Sequence, residues 1–140
     1  MFVRIGLLTL LLAALAPVSA DSGKSATLPD NYCRWEVVDY AIEESLCGLN
    51  GDAQRGQKIV SDSHLGNCLA CHYIEGGESP GTIAPPLVAM SSRYPDKAAL
   101  RAQIWDATVA NPDSSMPPFG RHGILSEEEI DKVTEFIWAL

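Results

Sequence analysis

Five consecutive residues, Cys68-Leu69-Ala70-Cys71-His72, constrain this 140-residue chain more than anything else in it. The pattern C-x-x-C-H is the attachment signature of c-type haem. Two thiols add across the vinyl groups of the porphyrin, and the histidine that follows is placed to ligate the iron. One short turn has to present both sulfurs to one edge of the ring and bring an imidazole to the metal. The three residues therefore stand close together. A chain that carries such a group folds around it.

C-x-x-C has other uses. A thioredoxin-like redox pair sits near a βαβ pattern, and no strand–helix–strand alternation surrounds residues 60–85. A structural zinc site needs a second ligand pair at finger-like spacing. The remaining cysteines, Cys33 and Cys47, lie upstream and form no second C-x-x-C. Neither alternative requires a histidine directly after the second cysteine.

Residues 1–20 have the layout of a secretory signal peptide. Arg4 supplies the positive start, Ile5 to Ala16 is apolar apart from Gly6 and Thr9, and Val18-Ser19-Ala20 is a small-residue cleavage site. The apolar run falls short of the roughly 20 residues that span a bilayer, so an uncleaved anchor is the weaker alternative. The reading implies a periplasmic chain starting at Asp21, with no membrane span after cleavage. The length that remains suits one domain. In an oxidising compartment Cys33 and Cys47 are expected to form an intrachain disulfide around a loop of about 15 residues. Two buried thiols, or a bond to a partner subunit, are the alternatives. The formal charge of −8, more negative by one without Arg4, argues against nucleic acid and against an anionic membrane surface. It suits a chain whose partners carry basic patches.

The remaining pattern is helical with long loops. Apolar positions 35, 38, 42 and 46 have helical spacing. Residues 51–60 read as a short helix with Asp52 as N-cap. Gly56 inside it lets another helix approach closely. Residues 75–86 hold three Gly and three Pro and form a loop. Residues 95–110 look like one helix, with Leu100, Ile104 and Val109 on its apolar side and Trp105 beside them, ended by Asn111-Pro112. Residues 112–125 are irregular. Ser126-Glu127-Glu128-Glu129 is a capping box. It opens a helix with Ile130, Val133, Phe136, Ile137 and Leu140 on one face. No segment alternates as a strand does, so the fold class is all-α.

An iron bound by one histidine takes a sixth partner or keeps an open position. Methionine raises the reduction potential and suits electron transfer. Met116 lies in Ser115-Met116-Pro117-Pro118-Phe119-Gly120, where two prolines fix φ and remove two donors. Such a stiff loop can hold a thioether in place. Met90 lacks that rigidity and reads as core. His64 is too near His72 to approach from the other side, and His122 remains a rival within reach. No nucleophile–base constellation is present, so no catalytic residue is assigned.

Short helix, C-x-x-C-H, Pro-containing loop, helix, M-P loop and capped final helix, in that order, resemble a class I cytochrome c. In that family a proline carbonyl accepts a hydrogen bond from the proximal histidine. The match in Ala84-Pro85-Pro86-Leu87 gives that role to Pro85, with Ala84 where the family has glycine. Gly66-Asn67-Cys68-Leu69-Ala70-Cys71-His72, Gly81-Thr82-Ile83-Ala84-Pro85-Pro86-Leu87 and the stretch from Met116-Pro117-Pro118-Phe119-Gly120 to Ile130 resemble the SoxX family of sulfur-oxidation cytochromes, over roughly residues 50–140. The resemblance implies three segments: signal peptide 1–20, N-terminal extension 21–49 and cytochrome c domain 50–140. It implies one covalent haem c on Cys68 and Cys71, with iron held by His72 and Met116. It implies a heterodimer with a SoxA-like haem subunit, working as an L-cysteine S-thiosulfotransferase. That enzyme joins thiosulfate oxidatively to a cysteine of a SoxYZ-like carrier. This chain would be its non-catalytic electron-transfer subunit, handing electrons to a small cytochrome c. Leu69, Ala70, Pro118 and Phe119 are candidate partner contacts, with core packing on the haem the stronger reading for Phe119, and with further contact from residues 28–50, including Trp35 and Tyr40. A free-standing electron shuttle is the alternative. A cytochrome in which Met116 dissociates to admit a ligand is a weaker third.

Overall fold

The computed structural model describes residues 36–43, 45–46 and 52–140. The expected signal peptide and the expected Cys33–Cys47 disulfide lie outside the described residues, as does Trp35.

Among the described residues five helices form, in the order α1 (Ala53–Ser61), α2 (Met90–Arg93), α3 (Lys97–Trp105), α4 (Ala107–Ala110) and α5 (Glu127–Trp138), with one 3-10 turn over Cys68–Ala70 between α1 and α2. Among the described residues there is no strand, only an isolated bridge between Val38 and Ala41.

Helix α1 starts where Asp52 accepts a hydrogen bond from the Arg55 amide at 3.0 Å. It buries Gly56, Ile59 and Val60, one face at i, i+3, i+4 spacing. That face crosses α5, the main helix contact of the fold. The crossing is tight because Gly56 has no side chain. A Cβ there would lie 2.0 Å from the Lys132 carbonyl oxygen and 2.9 Å from the Phe136 Cβ. Helix α5 is capped as its sequence indicates. The Ser126 hydroxyl accepts from the Glu129 amide at 3.3 Å, and the Glu129 carboxylate accepts from the Ser126 amide at 2.8 Å. Its buried face is Ile130, Val133, Thr134 and Ile137, with Phe136 and Leu140 packed at the margin.

Helix α3 lies against α5 and is joined to it by a buried ion pair, Arg101 Nε to Asp131 Oδ1 at 2.9 Å. The other arm of Arg101 donates to the Ile42 carbonyl, and the Ile42 amide donates to the Ala98 carbonyl at 3.1 Å. The stretch around Ile42 is therefore strapped across α3. It is not the helix that its periodicity indicates. Asp39 and Tyr40 have left-handed backbones, φ 48° and 64°, and the chain reverses there while Val38 and Ala41 exchange hydrogen bonds at 2.9 Å. Ile42 and Leu46 are fully buried, whereas Val38 and Tyr40 are exposed.

The single helix expected over residues 95–110 is two. Asp106 ends α3 with an extended backbone and caps α4 by accepting from the Thr108 amide. The rotation after that break leaves Val109 exposed, not on the apolar side with Leu100 and Ile104. Met90 is buried in the core at the start of α2. No helix among the described residues is long and apolar enough to cross a membrane.

Candidate haem site

Two loops hang from the α1–α5 pair, one after α1 and one before α5. After α1 the chain turns back sharply. The Gly66 amide donates to the Ile59 carbonyl and the Asn67 amide to the Asp62 carbonyl, and Asn67 adopts the left-handed conformation that asparagine tolerates. The 3-10 turn follows, closed by the Cys71 and His72 amides on the Cys68 carbonyl at 3.2 and 2.9 Å. Cys68, Cys71 and His72 are each half-buried. Burial pushes the Cys68 thiol up to about 11.

Residues 81–87 run alongside this turn. The Gly81 amide donates to the Leu69 carbonyl at 2.6 Å, Ala84 to Cys71 at 3.0 Å, and Leu87 to Tyr73 at 2.8 Å. Gly81 is required by the approach, since a Cβ there would lie 2.3 Å from the Ala70 oxygen. Ala84 needs no glycine: among the described residues the non-glycine ones at positive φ are Asp39, Tyr40, Asn67, Ser79 and Ala89. The ladder brings the Pro85 carbonyl to His72 Nδ1 at 2.6 Å. A carbonyl only accepts, so Nδ1 carries the proton and the Nε2 lone pair is left for a metal. The Arg93 guanidinium donates to the neighbouring Pro86 carbonyl at 2.6 Å, tying the loop to α2.

The second loop carries Met116, half-buried and packed at the edge of the core. Its amide donates to the Ser114 hydroxyl at 3.2 Å. Downstream, the Gly120 and Arg121 amides donate to the Trp105 carbonyl at 3.1 and 3.3 Å. Gly120 rests against the indole, where a Cβ would fall 2.0 Å from a ring carbon. Phe119 is buried in the core, in line with its reading as core packing and not with its reading as a partner contact. Leu69 and Pro118 are half-buried and Ala70 is exposed. His64 and His122 are exposed.

The donor chemistry fits covalent haem: two thiols on one turn, one imidazole fixed with Nε2 free, and one thioether on a braced loop. It does not fit zinc, because among the described residues no three His, Cys, Asp or Glu side chains converge on a cation. The model of the cytochrome c family matches residues 53–140.

The chain belongs to the cytochrome c family. A solved structure of SoxXA from P. pantotrophus aligns with a TM-score of 0.68 at 32% identity, over 74% of this cytochrome and 92% of the matched chain. The architecture, helical and without strands among the described residues, is that of a class I cytochrome c, and the SoxX-type resemblance of the sequence stands. An uncharacterized lipoprotein of Aquifex aeolicus (strain VF5) is 29% identical over 102 residues, which is 72% of this cytochrome and 50% of that protein. The cytochrome thus spans about half the length of that curated relative. Family membership brings haem c and an electron-transfer function. Three structural supports were not singled out by sequence reasoning: Gly81, Arg93 and Asp106. Only Asp106 had a local signal, a capping residue type inside an otherwise helical run.

Proposed function

We propose that this cytochrome is the electron-transfer subunit of a periplasmic SoxAX-type complex, an L-cysteine S-thiosulfotransferase. When bound, haem c supplies a one-electron ferric–ferrous couple. Cys68 and Cys71 would anchor it. His72 Nε2 and Met116 Sδ would hold the iron, leaving no open position for substrate. Pro85, by accepting from His72 Nδ1, fixes the tautomer and ring orientation and makes the imidazole a stronger donor. A chain built this way binds no sulfur substrate. Joining a carrier thiol to thiosulfate releases an electron pair and a proton. The role of this chain is to take those electrons singly from a SoxA-like partner and pass them to a small cytochrome c.

The observation that carries the reading is the alignment with 92% of a chain of SoxXA at 32% identity. The test mixes the holoprotein with its SoxA-like partner, a SoxYZ-like carrier and thiosulfate. Reduction of this haem should accompany adduct formation on the carrier, and the two proteins should co-purify. Full-rate adduct formation with the Cys68→Ser/Cys71→Ser variant, which holds no haem, would refute the role. A lone, partnerless monomer would point to a free shuttle instead.

A further inference from the structure

We propose that Asp106 and Arg121 are positioning residues for the sixth iron ligand, acting through the loop that carries Met116. The inference rests on the reading that Met116 is that ligand. Asp106 is almost completely buried, and its two carboxylate oxygens serve different elements. Oδ1 accepts from the Thr108 amide at 3.0 Å and from the Thr108 hydroxyl at 2.5 Å, capping α4. Oδ2 faces Arg121 Nε at 3.0 Å. Arg121 lies just beyond Gly120, and both backbone amides are held by the Trp105 carbonyl. The break between α3 and α4 thus binds the downstream half of the Met116 loop by an ion pair, two backbone bonds and the seat of Gly120 on the indole. Upstream, the bonds among the described residues are short and local: Ser114 amide to the Asn111 carbonyl, Asp113 amide to Asn111 Oδ1 and Met116 amide to Ser114 Oγ. The long-range bonds to Gly120 and Arg121 lie on the Asp106 side.

A charge that closes a loop acts on whatever the loop presents. With the pair intact, the loop would keep the Met116 thioether close to where it can ligate. Without it, the loop samples more conformations, and an outside ligand competes better. The division of labour at Asp106 supplies a clean perturbation. Asp106→Asn keeps an oxygen for the α4 cap and loses only the charge facing Arg121. Arg121→Gln leaves the cap untouched.

The experiment titrates oxidised holoprotein with imidazole and follows loss of the near-infrared methionine–iron charge-transfer band. Both single variants should bind imidazole about tenfold more tightly, the effect of losing one charge-assisted hydrogen bond. The double variant should go no further than either single one. Arg121→Lys should recover part of the difference. Raising the salt should narrow the gap between wild type and variants, because Arg121 is more than half exposed. Imidazole affinities within about twofold of wild type in both single variants would overturn the proposal. Should Asp106→Asn fail to fold, Arg121→Gln alone decides. If instead Met116→Ala keeps the band, Met116 is not the ligand, and this inference falls with that reading.

Discussion

Replacing Gly56 by alanine should destabilise this cytochrome, against the direction that helix propensity alone demands. In an exposed helix interior the change gains about 1 kcal/mol, because glycine leaves more backbone entropy to lose. Here the new methyl would sit 2.0 Å from the Lys132 carbonyl oxygen and 2.7 Å from its carbon. Both are backbone atoms of α5 and cannot rotate away. Reaching even a 3.0 Å contact moves the helices about 1 Å apart. A gap of that size forfeits a quarter to a half of each dispersion contact across the crossing, where Ile59 and Val60 meet the Ile130, Val133 and Ile137 face. Overpacking of this kind costs roughly 1–3 kcal/mol or more. Because the opposing atoms are backbone the cost lies at the upper end, about 3 kcal/mol; less the propensity gain of about 1 kcal/mol, the net loss is about 2 kcal/mol, which lowers Tm by roughly 8–16 °C in a domain of this size. Thermal unfolding of the holoprotein, followed by far-ultraviolet circular dichroism, measures it. An alanine variant as stable as wild type would refute the packing argument.

Other outcomes follow from the same bonds. Met116→Ala should abolish the near-infrared band and lower the reduction potential in a redox titration; loss of the band with Met90→Ala instead would reverse the assignment. Asp131→Asn should cost about 3–5 kcal/mol in guanidinium unfolding, because it leaves the Arg101 guanidinium buried without its charge partner. Replacing both by apolar residues of similar volume should cost much less. Ser126→Ala removes one half of the capping box and should cost about 1 kcal/mol by the same measurement. Hydrogen bonding to Lys132, aided by its charge, lowers the Glu128 carboxyl below its ordinary value. A depressed carboxylate contributes stability above its unfolded pKa, and that contribution is lost as pH falls through the folded value. Glu128→Gln should therefore lower stability slightly at neutral pH and make no difference below the folded value, so the variant loses less on acidification.

What could be read in advance was whatever the local chain decides by itself. Asp52 and Ser126 cap helices through side-chain oxygens a few positions away, so the spelling of α1 and α5 is visible in a short window. Gly56 pointed to a close helix approach because nothing local explains a glycine there. Misreadings arose where a distant contact decides. Positions 35, 38, 42 and 46 have a helical period, yet Arg101 and Ala98 hold Ile42 in a strap, and the reversal at Asp39-Tyr40 uses left-handed backbones without a glycine to announce them. The break at Asp106 was written as a capping residue type, but its depth in the core and its pairing with Arg121 appear only in three dimensions. At the haem site the sequence motif placed His72 and Pro85 together. The ladder that sets their distance depends on Gly81, one of three glycines in a loop whose sequence does not distinguish them.

The α1–α5 crossing also has a consequence for the order in which the molecule forms and opens. Gly56 and Lys132 are far apart in sequence, so the seam between them is a non-local contact, slow to form because a long loop must close first. Both loops that would flank the haem hang from that seam, yet neither lies within it. Each can open alone while the seam stays shut, as separate low-energy excursions below global unfolding. Native-state hydrogen exchange should separate the two levels. The amides of Gly120 and Arg121 should exchange through a local opening, and those of Ile130 and Val133 only when the whole domain unfolds. If Met116 is the sixth ligand, its loss from the iron would then be a property of one loop, decoupled from the survival of the fold.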